Sequence, residues 1–347
     1  MEDIKLNSNE CIVSDVSVTA SKSHYIDNVE FVSMQSFWRD IRQYLEKIKV
    51  YEQDEYLAPL EQLIVAFVSA KNTGADQDDF HNIAVDLARH SHTELAIKVL
   101  DCGLKHYPRN VDLLSDYINY GKTCGLWEDC KVRFDSLLKI PMYRWTWRGF
   151  SFSIDYLIDL FDQEISQEEE ETNTRLMNEI AENFVKYFPN DENSRISMSD
   201  VHKFCRRVEQ SINVLKDALD TLKIAPRCAL RYADILFEQG DFANALSVIR
   251  RGIRDAAQTQ SGVNLGYMYY LAGLCRISNH DELQGKMSKE EIFDIYCDFN
   301  IAARELSSNE YKSVIQSQTK VLKDKTGIAV PQKKYEELYD LIHNSIT

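Results

Sequence analysis

Residues 143–152 read Tyr-Arg-Trp-Thr-Trp-Arg-Gly-Phe-Ser-Phe, five aromatic rings and two guanidinium groups within ten positions. Aromatic and Arg side chains carry much of the free energy of protein interfaces, and Arg stacks on Trp. Arg144, Trp145, Trp147 and Arg148 are therefore candidates for gripping a partner. Such rings could also stack on unpaired bases. Against that, Asp plus Glu number 55 and Lys plus Arg 40, and a net charge of −15 repels polyphosphate over most of the surface. Nucleic acid is disfavoured on this ground. The same ten residues would serve equally as packing between neighbouring elements, with Arg at helix ends, and both readings stand.

Other chemistry is thinner. His90-Ser91-His92 brings two imidazoles to a turn, but a metal needs further ligands converging there, and the residues read as solvated. Cys124 and Cys130 are six apart across a turn, with Cys130 in an apolar pattern, which favours packing over a redox pair. The run Glu168–Glu171 is a solvated interhelix loop or a docking strip for a basic partner. Arg250, Arg251 and Arg254 share one helix, as a solvated face or a partner contact. No phosphate-cradling GxxxxGK[ST] or GxGxxG loop occurs, and no GxSxG elbow or HExxH pair. No cofactor, metal or catalytic residue is assigned, and an enzyme would need a site assembled from distant residues.

These candidates must be positioned by helices. Twelve Gly and six Pro in 347 residues are few breakers, and 44% hydrophobic content suffices for a core. The eight Cys are scattered, mostly within apolar helical patterns, and read as reduced. Met1-Glu2-Asp3-Ile4 has no apolar stretch after it, and the apolar run Leu63–Val68 is too short to span a bilayer. The expectation is a cytoplasmic chain that does not insert in a membrane. Residues 1–33 read as a partly ordered tail, with a weak alternation at Cys11–Val18. From residue 35 the period is helical: Phe37, Ile41, Tyr44, Leu45 and Ile48 share one face, and Leu57, Leu60, Ile64, Phe67 and Val68 another.

From residue 77 the pattern repeats every 34 residues. Ala96 maps onto Cys130, Leu100 onto Phe134, Ile83 onto Tyr117 and Leu87 onto Gly121, with Pro108 and Pro141 near the unit ends. The clearest unit, 226–260, buries Ala229, Tyr232, Ala233 and Leu236 in its first helix. It turns at Gly240 and buries Phe242, Ala245, Leu246, Ile249, Gly252 and Ile253 in its second. A further second helix is read at 211–219, with 192–206 as its weaker partner.

Tyr232-Ala233, Gly240-Asp241-Phe242, Ala245 and Ile249 resemble a tetratricopeptide repeat. The resemblance implies an all-α, right-handed α-α superhelix, a TPR-like solenoid of roughly six helical hairpins with a C-terminal helical cap. The reading divides the chain into a tail (1–33), a hairpin (34–72), repeats (73–275) and an irregular repeat with its cap (276–347). An irregular unit interrupts the repeats at 143–189, its first helix running from Trp145 to Phe161. A loop is expected at Ser278–Met287, capping boxes at Ser288–Glu291 and Ser307–Glu310, and a polar helix after Pro331.

First helices of this family line a concave groove that takes peptides or partner helices. By register, Asp112, Ser115, Asn119 and Lys122 would face it from one unit. Arg227, Leu230, Asp234 and Phe237 would do so from another. Only Asn119 and Lys122 resemble the Lys/Asn clamp some members use for a terminal carboxylate, so that ligand is not expected. The functional expectation is a scaffold or regulatory subunit binding a protein or peptide through the groove. A ligand-responsive regulator hinged at 143–189 is the alternative, and homo-oligomerisation is left open.

Overall fold

The computed structural model describes residues 34–306 apart from 52–55, 70–73, 164, 260–263 and 284–286, together with Ser313, Gln316, Lys320 and Lys323. The expected tail, the capping box at Ser307 and the last helix lie outside the described residues. Among these residues there are fourteen α-helices and no strand. They run as α1 (Met34–Tyr51), α2 (Leu57–Ser69), α3 (Gln77–Arg89), α4 (Thr93–His106), α5 (Val111–Thr123), α6 (Trp127–Leu138) and α7 (Trp147–Asp159). Then come α8 (Gln167–Tyr187), α9 (Glu192–Phe204), α10 (Val208–Thr221), α11 (Pro226–Glu238), α12 (Phe242–Ala257), α13 (Leu265–Leu283) and α14 (Lys289–Glu305). The chain divides into two compact units, Met1–Tyr156 and Leu157–Thr347, within α7.

In the N-terminal unit α1 packs on α2, α3 on α4 and α5 on α6, and the first helix α3 also packs on both α1 and α5. Phe37 stacks on Phe67 at 4.6 Å between ring centres, and Phe67 meets Phe80 at 5.4 Å, so aromatic rings tie the first hairpin to the second. In the C-terminal unit α9 packs on α10, α11 on α12 and α13 on α14, with α11 against both α9 and α13. Gly252 makes one of these contacts: a Cβ there would lie 2.6 Å from Met268 Cε and 2.9 Å from Ala229 Cβ.

The hairpin turn is the same in four units. After α3, α5, α9 and α11 the chain enters the left-handed region at Ser91, Gly125, Arg206 and Gly240. The next N–H then bonds back five residues, His92 to Leu87, Leu126 to Gly121, Arg207 to His202 and Asp241 to Leu236. This closes orphan carbonyls at the helix end in a Schellman arrangement. A side chain at positive φ costs free energy that Gly does not incur. Ser91→Gly and Arg206→Gly are each expected to stabilise by about 0.5–1 kcal/mol, and Gly125→Ala and Gly240→Ala to destabilise by about 1 kcal/mol. Thermal melts check this, and a lower melting temperature for both Gly variants would sink it.

Three sequence expectations change. Glu168–Glu171 is not a loop: Ser166 accepts from the Glu169 N–H, the Glu169 carboxylate accepts from the Ser166 N–H, and the run forms the first turn of α8. Carboxylates are favoured there by the helix dipole. The aromatic segment is not the start of one long helix. Met142–Arg144 forms a 3-10 turn, Trp145 is extended, α7 begins at Trp147, and Leu160–Asp162 closes it as a second 3-10 turn. Residues 278–283 continue α13 rather than open a loop. That helix is apolar on several faces because α11, α12 and α14 all pack against it.

Candidate functional site

Three successive first helices, α3, α5 and α7, bring side chains together in the N-terminal unit. His81 of α3 binds Asp116 of α5 through Nδ1, 2.5 Å from Oδ2, and its Nε2 meets the Arg148 guanidinium of α7. A guanidinium only donates, so Nε2 accepts and Nδ1 donates to Asp116. Asp116 is 1% exposed. Burial raises its carboxyl above the ordinary value, and the His81 bond pulls it partly back. The nearby Tyr120 phenol is pushed up to about 12, by burial first and then by Asp116. One repeat later in the same layer, Thr146 donates to Asp112 at 2.6 Å. Arg148 also lies over the Trp147 ring, 5.2 Å from its centre, and Trp147 is 38% exposed. An Asp–His pair can orient a general base, but here the free imidazole nitrogen is taken by Arg148. The cluster's chemistry is holding and presenting a guanidinium and an indole.

The C-terminal unit carries a parallel ladder on α9, α11 and α13. Arg231 donates to Asp200 at 2.8 Å, Lys203 pairs with Glu238 at 2.7 Å, and Tyr267 donates to Asp234 at 3.1 Å. The Asp200 bond raises the Arg231 guanidinium further, and burial raises Asp234. Glu192, the first residue of α9, accepts from the backbone N–H groups of Arg227 and Cys228 at 2.8 and 3.0 Å. Among the described residues no group of three or more His, Cys, Asp or Glu is placed to hold a metal ion, and no helix is long and apolar enough to cross a membrane.

No protein-family model and no curated protein sequence matches the chain. Among solved structures, a tetratricopeptide repeat protein from Parabacteroides merdae is 15% identical, covering 82% of this chain and 99% of that one with a TM-score of 0.50. The chain has the tetratricopeptide-repeat fold. Other similar structures are TTC0263, a TPR protein of Thermus thermophilus (16% identity, 57% and 100% covered, TM-score 0.46), and the human IFIT1 dimer with PPP-AAAA (13%, 93% and 71%, 0.44).

Within this fold the expected site residues separate. Ser115 is buried and donates to its own helix at Val111 O. Trp145 is 3% exposed and donates to Ile140 O. Neither offers surface to a partner. Asp112, Arg227 and Asp234 are tied across repeats, Arg227 through its side chain to Asn193. Asn119, Lys122, Leu230 and Phe237 are half-buried, with Phe237 edge-on to Phe242. Trp147 and Arg144 are exposed. On the second-helix side, Arg251 bonds Leu219 O and Arg250 lies 4.0 Å from Asp294. His90 bonds Asp86 O, Cys130 bonds Ile118 O, and burial pushes the Cys130 thiol up to about 11, as suits an inert packed cysteine. Of the residues missed from sequence, His81, Asp116, Asp200, Arg231 and Tyr267 share one signal, complementary polar side chains about one repeat apart, whereas Glu192 bonds backbone N–H groups and leaves no such trace.

Proposed function

We propose that the chain is a protein-interaction module, a scaffold or regulatory subunit that grips a protein or peptide along the layer of first helices. The observation that carries this is the Trp147–Arg148 pair. Its guanidinium is fixed by His81 and its indole stays exposed at the start of α7. Anchors already held in place lose little freedom on binding, and Trp and Arg are the residue types that dominate interface hot spots. The half-buried Leu230 and Phe237 supply the corresponding apolar contacts in the C-terminal unit.

The test is affinity purification with the tagged chain, followed by binding measurements on each recovered protein. Trp147→Ala is expected to weaken the true partner by at least tenfold, as is the combined Asn119→Ala, Lys122→Ala and Phe237→Ala variant. Partner affinity unchanged by both variants would overturn the reading. So would a single-stranded RNA that binds this layer more tightly than any recovered protein.

A further inference from the structure

The loop linking α4 to α5 and the one linking α6 to α7 border a cleft of about 670 Å³ in the N-terminal unit. Its apolar lining comes from Tyr107, Pro108, Ile140 and Pro141. Around it stand Arg109, Lys139 and Arg144, all exposed, and none makes a side-chain ion pair or hydrogen bond among the described residues. The acidic residue lining it, Asp112, is engaged by Thr146. Three unpaired cations thus border one cleft in a chain of net charge −15.

The walls are fixed. Trp145 donates to Ile140 O at 2.9 Å and holds the 3-10 turn that carries Arg144. Asn110 caps α5 and donates to Gln77 at 2.8 Å, and Tyr107 donates to Ala75 O. The same turn leaves Tyr143 68% exposed. The fold does not require the cations. The equivalent cleft in the C-terminal unit, about 640 Å³, has the same Pro-containing border at Phe188-Pro189 but is lined by Asp191 and Glu192. Its one Arg, Arg227, is taken by Asn193. The same architecture thus presents a self-satisfied acidic rim in one unit and an unsatisfied basic rim in the other.

We propose that the N-terminal cleft is a docking site for an acidic peptide segment carrying an aromatic or aliphatic side chain. The carboxylates would meet Arg109, Lys139 and Arg144, and the apolar side chain would seat against Tyr107, Pro108, Ile140 and Pro141, with Tyr143 flanking. Bidentate Arg–carboxylate pairs supply direction as well as attraction. This surface lies at the loop edge, where it meets the first-helix layer at Asp112 and Thr146, but its lining includes none of Trp147, Asn119 and Lys122, and it does not depend on what those residues bind.

The probe is a fluorescein-labelled peptide of Glu residues around a central Phe, titrated with the full chain and read by anisotropy. The charge-reversed variant Arg109→Glu, Lys139→Glu and Arg144→Glu is expected to bind at least tenfold more weakly. The milder Gln substitutions at the same three positions should fall in between, with unchanged circular dichroism. Replacing the peptide's Phe by Glu should weaken binding several-fold. Equal binding by wild type and both variants would overturn the proposal, as would equal binding of a Lys-for-Glu peptide. A single-stranded RNA that displaces the peptide at lower concentration would assign the cleft to polyanions and overturn it too, and loss of binding with Asn119→Ala would move the peptide to the helix layer.

Discussion

His81→Ala is expected to destabilise the N-terminal unit by about 3 kcal/mol near neutral pH. The variant leaves Asp116 enclosed without the hydrogen bond that now offsets its desolvation. Removing one partner from a buried pair costs more than the pair itself contributes, because the remaining charge keeps its desolvation penalty. All four tryptophans, at 38, 127, 145 and 147, fall in Met1–Tyr156. Tryptophan fluorescence during urea unfolding therefore reads this unit separately from the rest.

The defect has a definite pH dependence. Burial already raises the Asp116 carboxyl, and losing the His81 bond raises it further. Between the ordinary carboxyl value and the raised one, the native state keeps a proton that the unfolded chain has released. Stability then falls as pH rises through that window. His81→Ala should be mild near the ordinary carboxylate range and grow worse towards neutrality. The double variant His81→Ala with Asp116→Asn isolates the effect, since both chains lack the imidazole and only one keeps the carboxyl. It is expected to recover about 2 kcal/mol and to lose the pH dependence. A single variant that tracks the double variant at every pH would sink the account.

What was legible in the sequence follows from which interactions leave a periodic trace. The 34-residue spacing between Gln77 and Val111, and between Glu192 and Pro226, is visible because apolar positions recur and because Gly125 and Gly240 mark the turns. Ser91 and Arg206 occupy the same left-handed position without being Gly, so those turns leave no mark. Helix α9 reads weakly because it buries Ser194, Ser197 and Ser199 rather than large apolar residues, and Ser199 pairs with Ser211 of α10 at 2.7 Å.

The acidic run at 168–171 masks a helix start that Ser166 and Glu169 do encode, in the same kind of capping box that Ser288 and Glu291 form. The aromatic segment is split between core and surface. Trp145 and Phe150 are packed inside, while Tyr143 and Trp147 remain at the surface. The cross-repeat ties were illegible for a different reason. An Asp at 116 and an Arg at 148 look like solvated charges until the repeat geometry sets them on either side of His81.

Glu192→Ala is expected to destabilise the C-terminal unit by about 2 kcal/mol, whereas Glu192→Gln should stay close to wild type. Helix α11 starts at Pro226, and its N-cap, Ala225, has no side chain able to accept from the first turn. The carboxylate of Glu192, one repeat earlier, fills that role for the N–H groups of Arg227 and Cys228. One repeat thus caps the next, so the interface between them and the start of α11 should fail together. Burial raises the Glu192 carboxyl while the two N–H groups lower it, and the net rise means that its charge is a burden in the folded state. A neutral amide keeps an acceptor for those donors without that burden, which is why Gln should be tolerated and Ala not. The Cys228 thiol, raised by burial and next by Glu192, offers a second readout. Its labelling by a thiol reagent at fixed pH should speed up in Glu192→Ala as the start of α11 opens, and stay slow in Glu192→Gln. Equal loss of stability in the two variants would show that charge, not acceptor geometry, holds α9 to α11.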